Sequence, residues 1–391
     1  MPEEFITEEL KKQMGKFKVP NIAVIGRTGV GKSTIINSVF GANLAPTGTG
    51  LSITPKFHRY PPKKSQIPAP VVIYDSPGFQ AGKEEKFVKT VSDFLAEKQK
   101  KAIKEQKQQE GFNSQIHLVW YIVNAASARV EPFEKEIIDK INSQKIPAII
   151  VLSQCDRASD NEIEGVEKAL RDFELAKVYD ILQIAASPLI LPKTNKPICE
   201  PFGLNELLDK TIELLPDIYT EALIAMQMVN LKDKREIVWK YISTAAMTCF
   251  GAGFTPVPNS ATLLTSQISL CIGIASIYGY KEVTEFIVNI GTVATLNTLI
   301  STALGDVFGL FFPPGSVLTA AASASYIVAF GRTCTAVFEK MAKDNLQGKG
   351  KEEIKQYLQA NFQQEFAKYT LFRINSPEEL KIVEHNFLNP S

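Results

Sequence analysis

The sequence predicts an α/β unit, a mainly parallel sheet with helices on both faces, followed by an all-helical domain. Three observations predict it. Short apolar runs alternate with helical periodicity from residue 21 to residue 215. A glycine-rich turn, Gly26-Arg-Thr-Gly-Val-Gly-Lys-Ser33, lies between the first such run and the first helix. After Tyr241 charge disappears, with no Asp, Glu, Lys or Arg up to Tyr280. The organisation read from these patterns is a leader over 1–19, a phosphate-binding domain over 20–215 and a helical, apolar domain over 216–391.

Composition narrows the function classes. With 391 residues the chain is long enough for two domains. A net charge of +1 gives no reason to expect nucleic acid as a partner. Five scattered cysteines without a C-x-x-C pair argue for a reducing compartment and against a disulfide frame or zinc site. The three histidines, His58, His117 and His385, have no ligand-spaced partner and read as structural or solvated. The start, Met1-Pro-Glu-Glu-Phe, lacks the basic-then-apolar pattern of a signal peptide, and Pro2 stands where N-myristoylation needs glycine. The expected location is cytoplasmic, with membrane association left open.

Residues 3–17 read as a charged amphipathic helix. The strand Ile22–Ile25 then turns at Gly26 into G-x-x-x-x-G-K-S, and a helix follows from Ser33 to Phe40. This is a P-loop in its required context. Glycines let backbone N–H groups curl around phosphate oxygens, and the helix start favours the anion. The contact residues are Gly26, Arg27, Thr28, Gly29, Val30, Gly31, Lys32, Ser33 and Thr34. Lys32 would reach the β- and γ-phosphates, and Ser33 would hold Mg²⁺. The small-residue loop 42–55 offers Thr47, Thr49 and Thr54 as a further magnesium hydroxyl; Thr54 is favoured because it precedes a strand-like run, Lys56 to Tyr60. The strand starting at Val71 ends in Asp75-Ser-Pro-Gly78, a D-x-x-G in which Asp75 would hold magnesium and the Gly78 N–H would meet the γ-phosphate. Phe79 comes next and offers no hydrogen bond to an attacking water.

A long charged helix is expected over Lys83–Gln109, with a solvated lysine-rich tail. Strands at 116–123, 148–152 and 181–185 alternate with helices at 131–144, 160–177 and 203–215. Ligands in such sheets bind at the carboxyl ends of the strands, where the P-loop, Asp75, Asp156 and Ala186 all fall. An aspartate at position 156 can accept two hydrogen bonds from guanine, which adenine cannot supply. A backbone N–H near Ala186 would meet the guanine O6. The plainer reading of Asp156 is an N-cap for the following segment.

On these residues the N-terminal half resembles the Era-like and septin/Toc-like branch of P-loop GTPases. The matching pieces are Gly26–Ser33, Thr54, Asp75–Gly78, His117–Arg129 and Ser153-Gln-Cys-Asp156. The resemblance implies GTP and GDP as ligands, Mg²⁺ as cofactor, and Lys32 and Thr54 as the residues that assist hydrolysis. Gln154 replaces the lysine whose stem lies over the guanine ring, and Ala185-Ala186 replaces the usual S-A. Gly29 stands where potassium-activated relatives carry asparagine, so potassium dependence is not expected. Relatives with a hydrophobic residue at the Phe79 position activate hydrolysis by pairing two G domains, which makes a homodimer an implied partner.

The second half reads as all-helix, with uncharged runs at 241–280, 286–305 and 307–331. Their length suits a bilayer, yet they are rich in Ser, Thr, Asn, Gly and Pro. A soluble bundle and a membrane-associated module both fit, and the reading leans slightly to the membrane surface. This half resembles the helical domain of unknown function that follows some Era-like G domains, on Gly251–Asn259, Gln267, Tyr278-Gly279 and Ala329–Arg332. A looser similarity is to immunity-related and dynamin-like GTPases. The functional expectation is a GTPase switch; a GTP-dependent scaffold with negligible hydrolysis, or an integral membrane protein with a cytosolic G domain, are the other readings.

Overall fold

A computed structural model describes residues 18–41, 44–45, 56–62, 71–78, 82–108, 113–173, 178–190, 197–251, 260–278, 320–344, 351–369 and 373–389. The chain divides into two compact units, one running from Phe17 to Leu223 and one containing Ile224–Ser391. The expected helix over 3–17, the loop 46–55 with Thr47, Thr49 and Thr54, and Phe79 lie outside the described residues.

In the first unit the elements are β1 (Asn21–Gly26), α1 (Lys32–Phe40), β2 (His58–Tyr60), β3 (Val72–Asp75), α2 (Glu84–Lys107), β4 (Leu118–Asn124), α3 (Pro132–Ser143), β5 (Ala148–Ser153), α4 (Asp160–Arg171), β6 (Val178–Ile184), β7 (Leu189–Ile190), β8 (Pro197–Cys199) and α5 (Leu204–Leu214). Among the described residues the main sheet has the order β2-β3-β1-β4-β5-β6. All its neighbours pair in parallel except the edge strand β2, which runs antiparallel to β3. The central strands are buried along their whole length, as a sheet covered on both faces requires.

Alternation along the strands builds two cores. One face brings Ala23, Ile25, Val119, Tyr121, Ile150 and Leu152 against the apolar stripes of α2, α3 and α4. The opposite face carries Trp120, whose ring stacks on Phe40 of α1 at 5.9 Å. Its indole N–H donates to the Thr211 hydroxyl of α5 at 3.0 Å. That bond satisfies the one polar atom of a fully buried side chain. His117 is structural: its Nδ1 accepts the Asn21 N–H at 2.9 Å, and burial pushes it down to about 4, so the ring is neutral.

Two sequence expectations need correction. The helix expected to run to residue 177 stops at Arg171, and the last strand starts at Val178 rather than at residue 181. The short antiparallel pair β7–β8 is not expected from the sequence, because two- and three-residue strands carry no measurable periodicity.

The second unit holds the helices beyond α5: α6 (Asp217–Met226), which begins in the first unit, then α7 (Leu231–Gly251), α8 (Ser260–Ile277), α9 (Ala320–Lys343), α10 (Lys351–Tyr369) and α11 (Glu379–Leu388). The chain breaks between α6 and α7 at 227–230. There Gln227 accepts the N–H groups of Val229 and Asn230 at 2.8 Å each and donates to the Asn230 carbonyl. Much of the first uncharged run is interior: Ile242, Ala246, Ile272, Ile274, Ala275 and Tyr278 are fully buried. Among the described residues no helix is long and apolar enough to cross a membrane. Most of the other two uncharged runs lies outside those residues.

Candidate nucleotide-binding site

The site begins where β1 ends. Gly26 is required by packing, since a Cβ there would stand 2.6 Å from the Ile122 carbonyl oxygen of β4. Gly29 and Gly31 have φ of +82° and +93°, the left-handed region that glycine enters without strain. The turn thus folds back on itself and delivers the chain to α1, whose first residue is Lys32. Lys32 curls under the loop, and its Nζ donates to the carbonyls of Gly26 and Arg27 at 2.9 Å each. Burial lowers its pKa while the nearby Asp75 charge raises it.

The D-x-x-G segment meets the P-loop directly. The Ser76 N–H donates to the Val24 carbonyl at 2.9 Å, and its hydroxyl accepts the Gly26 N–H at 3.3 Å. A Cβ on Gly78 would lie 2.2 Å from Thr28 Oγ1, so any larger residue would press on Thr28. Asp75 is buried, and its Oδ1 has no hydrogen-bond partner. Burial raises its pKa to about 6, against the opposing pull of Lys32 and His58.

The S-Q-C-D segment comes from the end of β5. Ser153 Oγ donates to the Val30 carbonyl at 2.7 Å and lies 3.1 Å from that of Val123. Gln154 adopts φ +57°, which aims its amide at the P-loop, where Nε2 donates to the Gly29 carbonyl at 2.9 Å. The residue that departs from the lysine pattern therefore still reaches the P-loop, as a neutral donor. Asp156 does not cap the next helix. Ser159 does, in a capping box with Glu162. The Asp156 side chain is largely buried, with Arg157 Nε 3.7 Å away. Ala186 joins the same edge: its carbonyl accepts the Ser38 hydroxyl of α1 at 2.7 Å.

Sequence reasoning did not anticipate a cluster behind Arg27. The Arg27 guanidinium stands 5.8 Å from the centre of the Phe133 ring, and next to it the carboxyl of Glu134 is only 4% exposed. Glu134 accepts the Glu131 N–H at 2.9 Å as the second half of the α3 capping box. Burial pushes its pKa up to about 7. The spacing Glu131-Pro-Phe-Glu134 carries the capping signal, but nothing in it tells that Glu134 is buried.

Comparison with known proteins bears on the family of this half of the chain. Residues 21–154 match the family described as 50S ribosome-binding GTPase. They form an Era-like P-loop GTPase domain. The chain is 27% identical over 203 residues to GTPase Era of Caldicellulosiruptor saccharolyticus, covering 51% of this chain and 57% of that protein. It is 25% identical over 212 residues to GTPase Era of a Thermoanaerobacter species, covering 54% and 63%. The chain thus spans about three fifths of the length of these curated relatives. Among solved structures, the translation elongation factor SelB of Methanococcus maripaludis with the GTP analogue GppNHp aligns with a TM-score of 0.32 and 19% identity, over 51% of this chain and 34% of that one. The GTPase domain is followed in the chain by the helical region α6–α11.

Proposed function

We propose that the protein binds GTP and hydrolyses it to GDP and phosphate as a nucleotide-dependent switch. The observation that carries this reading is the convergence of the P-loop, the D-x-x-G segment, the S-Q-C-D turn and the Ala186 loop on one sheet edge, tied to one another by hydrogen bonds and close packing. Backbone N–H groups from Gly26 to Thr34 and the Lys32 ammonium stabilise charge on the phosphates. Asp156 selects guanine through paired hydrogen bonds, with a backbone N–H near Ala186 on O6.

The donors present suit a magnesium ion. Ser33 at the start of α1 and Asp75 at the end of β3 are hard oxygen ligands, and the unpartnered Asp75 Oδ1 is a buried acceptor in need of a cation. Thr54 is proposed as the third protein oxygen. The ion would neutralise charge on the β- and γ-phosphates.

Phe79 provides no group to orient water. As the resemblance to relatives with a hydrophobic residue at this position implies, the proposed switch is slow alone and faster when two G domains pair, and its output is the helical unit acting on a partner or membrane surface. The same residue favours a second reading, a GTP-dependent scaffold with negligible hydrolysis. Binding of a fluorescent GTP analogue and turnover across protein concentration test both. Lys32→Ala should abolish binding or turnover; unchanged hydrolysis in that variant overturns the site. A rate per molecule that climbs with concentration supports paired activation, and binding without product at any concentration supports the scaffold.

A further inference from the structure

We propose that the Thr28 hydroxyl is the group that positions the attacking water, in the role that Phe79 cannot fill; the proposal rests on the hydrolytic reading above. Thr28 is the third residue of the P-loop, and it is exposed. Its side chain abuts the end of the D-x-x-G segment: a Cβ on Gly78 would lie 2.2 Å from Thr28 Oγ1, 3.0 Å from its Cβ and 3.1 Å from its Cα. The hydroxyl therefore stands against the glycine whose N–H is assigned to the γ-phosphate.

Three hydroxyls around this site are already engaged. Ser38, Ser76 and Ser153 each bond to a backbone group of a neighbouring segment. The Thr28 hydroxyl has no hydrogen-bond partner among the described residues. A hydroxyl offers one donor and two acceptor sites, so it can accept a hydrogen bond from the water and hold the water's oxygen lone pair toward phosphorus. Phe79, next after Gly78 in the chain, offers neither.

In the reaction the water oxygen bonds to the γ-phosphorus. The bond from that phosphorus to the β–γ bridging oxygen breaks, and its electron pair leaves on GDP. One water proton passes to the released phosphate, and Thr28 ends unchanged.

The test compares the full-length wild type with Thr28→Val and Thr28→Ser, at matched protein concentrations. Analogue affinity, GTP turnover and thermal midpoint are measured for each. Thr28→Val keeps the shape and removes the hydroxyl. It should keep its melting midpoint and analogue affinity while kcat falls roughly 10²-fold. Thr28→Ser should restore kcat. A Thr28→Val protein that turns over like the wild type, while Lys32→Ala is dead, overturns the Thr28 assignment and leaves the hydrolytic reading standing. Affinity and turnover that fall together in Thr28→Val also overturn it, because Thr28 then only shapes the loop. Binding without turnover by the wild type at every concentration overturns both.

Discussion

Glu134→Gln separates the cost of one buried charge from the rest of the GTPase domain. Glu134 is nearly inaccessible, with the fully buried Tyr121 nearby. Burial is the largest influence on its carboxyl. The Glu131 N–H and the Arg27 charge favour ionisation, and the Glu131 charge opposes it. The balance moves its pKa from 4.5 to about 7. Between those values the folded protein keeps a proton that the unfolded chain releases. The stability linked to this group is therefore complete below about pH 4.5 and is lost as pH rises through about 7. At about 1.4 kcal/mol for each tenfold change in proton affinity, the loss reaches about 3 kcal/mol. Glutamine keeps the acceptor for the Glu131 N–H, so the helix cap survives and only the titration disappears. Urea unfolding in a Trp239→Phe background leaves Trp120, inside the GTPase sheet, as the reporter. Asp75 shifts in the same direction and cancels when variant and parent are subtracted at each pH. The variant should match its parent below about pH 4.5 and exceed it by about 3 kcal/mol above about pH 8. An equal difference at both ends, or a variant less stable at high pH, refutes the reasoning.

Two further predictions concern buried polar atoms. Thr211→Val leaves the Trp120 indole N–H without its acceptor in a dry core, so the GTPase unit should lose about 1–3 kcal/mol, read by the same fluorescence; an unchanged urea midpoint counts against that bond. Lys234 is fully buried in the helical unit, donates to the carbonyls of Ala225 and Ile277, and is pushed down from 10.5 to about 7 by burial. The unfolded chain then binds the extra proton, so stability is complete above the ordinary lysine value and is lost as pH falls through about 7. With Trp239 as the reporter in a Trp120→Phe background, the helical unit should gain stability from about pH 7 to 9, and Lys234→Met should remove that slope; a slope that survives the substitution refutes the assignment.

What the sequence makes legible at the site is whatever a local spacing encodes. Gly29, Gly31 and Lys32 are a backbone conformation and a cation at fixed offsets, and the structure holds them as those offsets require. The contacts that join the loops are a different matter. Ser153 to Val30, Gln154 to Gly29 and Thr28 against Gly78 link positions far apart in the chain, and only the strand order brings them together. The misread helix end shows the same limit. Residues after Arg171 continue a plausible helical pattern, but the capping of α4 at Asp172 and the pairing of β6 with β5 decide where the chain turns.

The uncharged run after Tyr241 shows why absence of charge is a poor measure of apolar surface. Along α7, Ile242 and Ala246 face the interior, and Gly331 of α9 comes so close that a Cβ there would lie 2.5 Å from Ile242 Cγ1. The more accessible positions include Ser243, Thr244 and Thr248, whose hydroxyls bond to carbonyls one turn back on their own helix. Uncharged polar residues share the outer face with the exposed Met247, and small residues permit the close crossing on the inner one. Just before the run, Arg235 bonds through both guanidinium arms to Glu339 of α9, and Glu339 also accepts the Tyr278 hydroxyl at 2.8 Å. The carboxylate is thus satisfied from α7 and from the residue just after α8, so breaking it by Glu339→Ala would leave a half-buried guanidinium and a buried hydroxyl without their partner. The charges missing from the run's surface are spent at its ends, on holding three helices in one packing.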